Sequence, residues 1–409
     1  MSDFYQTGIV PTLHRLKPDN IDRLEGDLER FARQKPIGLV LPALYSEFET
    51  PAMQKIVKEL QRVRYLQRIV VSLGRASLEQ FVRVRELFEN YYTPVSILHI
   101  ESERMQSLMR MLEDRGLPAG PDGKGRSCWL AYGYVLAAGD CDVIALHDCD
   151  IVNYSRTMLA RLCYPVVHPN LGFEFCKGYY ARVTDRMHGR VTRLFFTPLL
   201  RSMLGMAPEA PFLNFLDSFR YALAGEFAMN TNLARVNRIP SDWGLEVGVL
   251  AEVFRNCAVA RTCQVDLAET YEHKHQVLSP DDASRGLSRM ASEIAKSLFR
   301  TVAAEGVAFT AEHFRTLEVR YVRMAQDTIA RYYADAMLNG LKFDRHDEEV
   351  AVATFAKSLQ RASAEFLEDP LGAPAIPNWN RVIAAIPEFF DLLQDAVDKD
   401  ARLSPAPVQ

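Results

Sequence analysis

Two carboxylates one residue apart, Asp148 and Asp150, close the apolar run Val143-Ile144-Ala145-Leu146-His147. From the end of a strand both point toward one place, where like charges repel unless a cation joins them. Mg²⁺ or Mn²⁺ suits oxygen ligands and keeps coordination positions open for phosphate oxygens. An Asp-x-Asp pair alone equally describes a solvated turn or a helix N-cap. Its place at the end of a buried strand is what favours the metal reading.

Four other groups could work with such a site. Gly120-Pro121-Asp122-Gly123-Lys124-Gly125-Arg126 precedes a helical pattern from Ser127 to Ala138. Glycines allow close backbone approach, a helix start offers N–H groups, and Lys124 can neutralise a phosphate; a flexible, charged surface loop is the plainer alternative. GxxxxGK[ST] is absent, so this is not a Walker A loop. Tyr271-Glu272-His273-Lys274-His275 offers two imidazoles that face opposite sides of an extended chain, so one of them can complete a metal site, and an ordinary surface or hydrogen-bonded histidine is the plainer alternative for each. His188-Gly189-Arg190-Val191-Thr192-Arg193 reads as a turn with Thr192 at a helix N-cap, a clamp for phosphate or carboxylate or simply a cap with solvated arginines. Glu246 lies inside the apolar Trp243 to Gly248 segment and needs a partner, either an internal cation or a sugar's hydroxyls.

The elements that must position these groups follow from periodicity. Ile21, Leu24, Leu28 and Phe31 mark an amphipathic helix leading into a strand over Ile37 to Leu41. A helix carrying Met53, Ile56, Leu60 and Val63, a strand from Arg68 to Leu73, a helix from Leu78 to Phe88 and a strand from Val95 to His99 come next. The Val143 to Leu146 strand then makes four that alternate with helices. Their apolar runs predict a mostly parallel sheet covered on both faces, with ligands beyond the strands' carboxyl ends. Three polar loops fall at such ends: Pro42 to Glu49, Gly74 to Ser77 and His147 to Tyr154. A strand over Phe173 to Tyr180 and a helix over Leu194 to Leu204 are expected next, then long helices from Ser279 onward. The division is a domain over 1–278, a helical region over 279–400 and a disordered tail over 401–409.

The chain has 409 residues, 48% hydrophobic, and a net charge of only −4 with its 48 basic residues dispersed. No basic tract points to nucleic acid, and no apolar run approaches a membrane span. With no signal-like start, the expectation is a cytoplasmic protein whose seven cysteines are reduced and buried.

Taken in order, Leu41-Pro42-Ala43-Leu44 with Glu47 and Glu49, Gly123-Lys124-Gly125, Asp148-Cys149-Asp150, Gly189-Arg190-Val191-Thr192, Ala224-Gly225-Glu226, Gly244 to Gly248 and His273 resemble the glucosyl-3-phosphoglycerate synthases. These are retaining GT-A glycosyltransferases close to the mannosyl-3-phosphoglycerate synthases. The resemblance covers about Ile37 to Gln276 and rests on the order of the motifs. It implies a GT-A fold, Rossmann-like, with a helical C-terminal extension. Pro42, Ala43, Leu44, Glu47 and Lys124 would hold the nucleotide of a UDP- or GDP-sugar, with Asp148 and Cys149 also on the donor side. Asp148, Asp150 and His273 would hold Mg²⁺ or Mn²⁺. Glu246 would hold the donor sugar, while Gly189, Arg190, Val191, Thr192 and His275 would receive 3-phosphoglycerate. Asp150, Lys124 and Glu246 are the catalytic candidates. The chain departs from the family at Tyr45-Ser46-Glu47, where Asn-Glu is common, and at His273-Lys274-His275-Gln276, where a His-Arg-Asn-Arg-like run is usual.

The expected reaction is transfer of glucose to the 2-hydroxyl of 3-phosphoglycerate with retained configuration. Mannosyl transfer from GDP-mannose, sugar-1-phosphate nucleotidyl transfer and a non-catalytic scaffold are the alternatives. The nucleotidyltransferases begin with a Gly-rich loop that Pro42-Ala43-Leu44-Tyr45 does not match. The long C-terminal helices suggest a homodimer, or else a cap on the sheet.

Overall fold

A computed structural model describes residues 6, 8–272 and 286–403. Eight strands form one sheet: β1 (Thr12–Leu13), β2 (Ile37–Leu44), β3 (Leu66–Gly74), β4 (Val95–His99), β5 (Val143–Leu146), β6 (Phe175–Tyr180), β7 (Phe227–Asn230) and β8 (Thr262–Ala268), in the order β1-β8-β6-β7-β5-β2-β3-β4. All neighbours are parallel except β7, which runs against β5 and β6. This is the mostly parallel α/β sheet that the sequence predicts. Its antiparallel β7 and the following short helix occupy the stretch from Ala224 to Asn237, which carries too little apolar periodicity to reveal a four-residue strand.

Helices cover both faces: α1 (Ile21–Phe31), α2 (Tyr45–Phe48), α3 (Pro51–Leu60), α4 (Leu78–Leu87), α5 (Glu103–Asp114), α6 (Lys124–Ala138) and α7 (Arg156–Val167) in the first part. Then come α8 (Thr197–Leu204), α9 (Pro211–Asp217), α10 (Thr231–Val236) and α11 (Leu245–Asn256), followed by α12 (Gly286–Ala304), α13 (Ala311–Leu338), α14 (Arg345–Glu368), α15 (Trp379–Ala385) and α16 (Phe389–Ala401). Ala401 ends this last helix, and Arg85 donates to the carbonyls of both Ala401 and Leu403, so the chain is anchored through Leu403.

Successive strand residues point to opposite faces, and here both faces are dry. Leu39, Leu41, Ile69 and Val71 pack with α1, α3, α4 and α7 on one side. Val40, Val70, Leu98 and Ile144 face α5, α6 and the C-terminal helices on the other, in a core that continues to Trp379, Phe389 and Leu393. Trp129 of α6 stacks on Trp379 of α15 at 4.0 Å and donates its indole N–H to Pro377. Gly133 makes that approach possible, since a Cβ there would stand 2.1 Å from the Trp379 ring. Apolar burial of this extent contributes about 25 cal/mol per Å² and makes the C-terminal helices part of the wall behind the sheet.

The chain runs outward from β2 to β4 and then returns to the other side of β2 as β5. Such a reversal opens a crevice at the strands' carboxyl ends, the usual ligand position in sheets of this kind. Pairing of β2 with β5 stops at Val40 and Leu146, while β2 continues along β3 to Leu44. Pro42, Ala43 and Leu44 are therefore strand rather than loop, and Pro42, with no N–H to donate, sits where the β5 side has already ended.

Candidate active site

The loop after β5 begins with His147, whose N–H donates to Val40. His147 is fully buried edge-on to Tyr154, and burial pulls its pKa down to about 4, so the ring is neutral. Asp148 follows at the mouth of the crevice, within 2.6 Å of the Lys124 ammonium. Cys149 turns inward, 2% exposed, so any contact of this residue with a donor falls to its backbone. After Asp150, Val152 donates to Glu272 and the Asn153 amide to Thr270, while Glu272 donates back to Asn153. The segment ending at Glu272 is thus fastened to the Asp148–Asp150 loop. His273 and His275 themselves lie outside the described residues.

Lys124 is the first residue of α6, so the helix starts at the lysine itself, three residues earlier than the pattern from Ser127 suggests. Its ammonium reaches Asp148 at 2.6 Å and Glu246 at 3.0 Å. Burial works against this charge, but the two carboxylates outweigh it and hold Lys124 well above the ordinary lysine range. Glu246, 6% exposed, sits in the first turn of α11, where the helix dipole favours an anion. The glycines of the Gly120 to Gly125 loop serve this juxtaposition rather than a phosphate. A Cβ on Gly123 or Gly125 would come within 2.5 Å of the Ser241 carbonyl or 2.0 Å of the Pro240 carbonyl. One on Gly120 would meet the Ser241 hydroxyl at 2.6 Å. They let the chain before α11 press against the start of α6, which brings Glu246 to Lys124.

Two more charged groups stand behind these. Glu226, fully buried before β7, accepts hydrogen bonds from Tyr180 (2.7 Å) and Tyr271 (2.6 Å), whose rings stack at 3.6 Å. Burial, and then Asp148, raise its pKa. Gly225 is packed so closely that a Cβ would stand 2.2 Å from the Asp148 carboxylate. Lys177 of β6 is also fully buried, over the Phe227 ring, and its ammonium has no hydrogen-bond partner among the described residues. Burial lowers its pKa to about 8, against the pull of Glu246 and Glu226.

Glu47 completes the crevice. It lies in α2 beyond β2 and accepts the Leu44 N–H at 2.9 Å. Burial, followed by the charges of Asp150 and Asp148, raises its pKa to about 7. Asp148, Asp150, Glu47, Glu226 and Glu246 therefore face two ammoniums, Lys124 and Lys177. A crowd of hard oxygen donors with more acid than base fits a divalent cation. Among the described residues no group of three His, Cys, Asp or Glu side chains forms a ready-made cage.

In the segment that the resemblance assigns to the acceptor, Gly189 has φ +73°, a left-handed turn. Thr192 is not an N-cap: a wide π-type turn spans Val191–Phe196 and runs into α8, with Arg190 at the cap position. Arg190, with about a third of its side chain exposed, is not a free solvated arginine. Its guanidinium pairs with Glu348 of α14 at 2.9 Å, and Arg193 pairs with the same carboxylate at 2.8 Å.

No family model matches the chain. It is 50% identical over 400 residues to the glucosyl-3-phosphoglycerate synthase of Persephonella marina, covering 98% of this chain and 99% of that protein. It is 38% identical over 405 residues to that of Methanococcoides burtonii, covering 98% of each.

The chain belongs to the glucosyl-3-phosphoglycerate synthase family.

The fold agrees with that membership. A crystal structure of the Mycobacterium tuberculosis glucosyl-3-phosphoglycerate synthase with Mn²⁺, UDP-glucose and phosphoglyceric acid superimposes with a TM-score of 0.53 at 22% identity, over 74% of this chain and 89% of that one. Within the family's motifs, the structure brings Lys124, Asp148, Asp150, Glu47 and Glu246 around one crevice. Gly189 to Thr192 form the adjoining turn. Lys177 and Glu348 belong to no motif of the sequence. A lone lysine in the strand Phe175–Tyr180 is a readable signal, whereas Glu348 is one acid among many on α14.

Proposed function

We propose that the protein transfers glucose from UDP-glucose to the 2-hydroxyl of 3-phosphoglycerate, with retention, giving glucosyl-3-phosphoglycerate. The observation that carries this reading is one ammonium, Lys124, joining Asp148 on the metal side of the crevice to Glu246 on the sugar side. Family membership at 50% identity over nearly the whole chain supports it. The M. tuberculosis enzyme holds UDP-glucose in its crystals, which makes UDP the nucleotide to test first; GDP-glucose and GDP-mannose are the competing donors.

In this proposal the tip of β2 (Pro42, Ala43, Leu44) and Glu47 bind the nucleoside, and Glu246 binds the sugar hydroxyls. Asp148 and Asp150, with His273, would hold Mg²⁺ or Mn²⁺, which when bound supplies positive charge against the donor diphosphate. Lys124 adds a fixed cation where the leaving phosphate gains charge. Gly189, Arg190, Val191, Thr192 and His275 seat the acceptor. The bond from the sugar's anomeric carbon to phosphate breaks, the bond to the glycerate 2-oxygen forms on the same face, and the hydroxyl proton passes to the departing phosphate. No side chain need attack: the buried carboxylate of Glu226 is already engaged by two tyrosine hydroxyls. All these groups fall within residues 1–278, while the helical region 279–400 contributes the Glu348 prop.

No helix among the described residues is long and apolar enough to cross a membrane. All seven cysteines are free and buried, in keeping with a reducing cytoplasm. The homodimer expected from the long helices would use Val319, Met337 and Leu338, which α13 exposes; sedimentation of the purified protein would read its mass directly.

Incubation with 3-phosphoglycerate, Mn²⁺ and each of UDP-glucose, GDP-glucose and GDP-mannose, followed by mass and NMR of the product, tests the proposal. An α-glucosyl product from UDP-glucose is expected. No product from any donor would refute it.

A further inference from the structure

3-Phosphoglycerate is anionic at both ends, and the turn at Gly189 accounts for one of them. Arg190 and Arg193 share the Glu348 carboxylate, and Asp347 lies 3.8 Å from Arg190, so this pair of cations is largely neutralised by the protein itself. A second anionic group on the ligand needs a cation of its own.

Arg182, just after β6, has the chemistry and the position for that role. No carboxylate pairs with it among the described residues. Its Nη1 donates to the Tyr221 hydroxyl at 3.2 Å, and its buried Nε has no hydrogen-bond partner among the described residues. The side chain lies directly across the Gly189 turn: a Cβ on Gly189 would stand 3.7 Å from Nη1 and 3.8 Å from Cδ. Its aim is fixed by an aromatic relay. Tyr221 packs edge-on to Tyr180 at 5.1 Å, Tyr180 stacks on Tyr271, and both of their hydroxyls hold Glu226 beside Asp148. The guanidinium thus stands between the acceptor turn and the donor crevice, on a support that long side-chain freedom does not blur. A planar fork of donors suits a carboxylate.

We propose that Arg182 determines acceptor specificity by binding the carboxylate of the phosphorylated hydroxy acid, leaving the phosphate to the Gly189–Thr192 turn and Arg190. This rests on the acceptor reading given under Proposed function. It implies that the enzyme separates 3-phosphoglycerate from glycerol 3-phosphate, which has the same phosphate and no carboxylate, chiefly through this side chain.

The test is calorimetric binding of both compounds to protein loaded with UDP and Mn²⁺, for the wild type and for Arg182→Met, Arg182→Lys and Tyr221→Phe, each checked by thermal melting. Arg182→Met should weaken 3-phosphoglycerate roughly 10- to 150-fold, the range of a charged hydrogen bond, and glycerol 3-phosphate less than about 3-fold. Arg182→Lys should recover part of the loss, and Tyr221→Phe should show a smaller loss confined to 3-phosphoglycerate. Equal weakening of both ligands, or of neither, would overturn the assignment. A wild type that binds neither compound would overturn the acceptor reading itself, an outcome seen before any variant is measured.

Discussion

The Lys124 ammonium stands 2.6 Å from Asp148 and 3.0 Å from Glu246, so one cation couples the carboxylate at the end of β5 to the carboxylate at the start of α11. Replacing it by methionine leaves two acids facing each other. Lys124 and Asp148 keep 25% and 28% of their side chains in solvent, which screens the repulsion below the cost of a fully buried broken pair. Lys124→Met should lower stability by about 2 kcal/mol, roughly 3 °C in melting temperature, with part of that restored by Mn²⁺. Its turnover should fall by about 10²- to 10³-fold, as when one fixed donor at developing charge is removed. Thermal melts with and without metal, alongside steady-state rates, check both parts. Unchanged rates would remove Lys124 from the chemistry.

Glu47 gives the metal-free protein a pH signature. Its folded pKa is about 7 against an ordinary 4.5, so between those values the folded state holds more protons than the unfolded one. Stability must then fall as pH rises through that window and level off above it. Urea melts in chelator at pH 5 and pH 8 should show this decline, and Glu47→Gln should flatten it. A divalent cation favours the ionised form, so metal titrated at pH 6.5 should release protons, measured by calorimetry in buffers of different ionisation enthalpy. A decline of equal size in Glu47→Gln would assign the effect elsewhere.

Glu348 ties α14 to the Gly189 turn, the proposed acceptor seat, through Arg190 and Arg193. Glu348→Gln removes the charge that fixes both guanidiniums in a site where Glu348 is only 5% exposed. The expected result is a loss of about 3 kcal/mol in stability and a rise of roughly 3- to 10-fold in KM for 3-phosphoglycerate. KM for UDP-glucose should hardly change. An unaltered acceptor KM in a destabilised protein would make Glu348 a purely structural prop.

Much of this arrangement is legible in the sequence, for reasons that differ by element. The apolar runs at Ile37, Arg68, Val95 and Val143 alternate regularly with helical patterns and are bounded by turns, so the β2 to β5 framework and the Asp148–Asp150 loop at its end can be read directly. Short-range patterns mislead where tertiary contacts decide. The glycines around Lys124 look like a phosphate loop, yet they make room for Pro240 and Ser241, residues more than a hundred positions away. Thr192 looks like a helix cap, but the Gly189 turn starts the helical path earlier. Glu348 and Arg182 acquire meaning only when α14 and the Tyr221–Tyr180–Tyr271 relay are folded against the turn, and no local spacing encodes that.

The most direct test of the central claim, that the carboxylates at the end of β5 bind the metal on which sugar transfer depends, is the rate of UDP-glucose and 3-phosphoglycerate turnover across a Mn²⁺ titration for the wild type and Asp150→Ala. Turnover in the wild type should depend on metal and vanish in excess chelator, and Asp150→Ala should show none at any Mn²⁺ concentration while melting normally. Wild-type rates in Asp150→Ala, or undiminished rates in chelator, would contradict it.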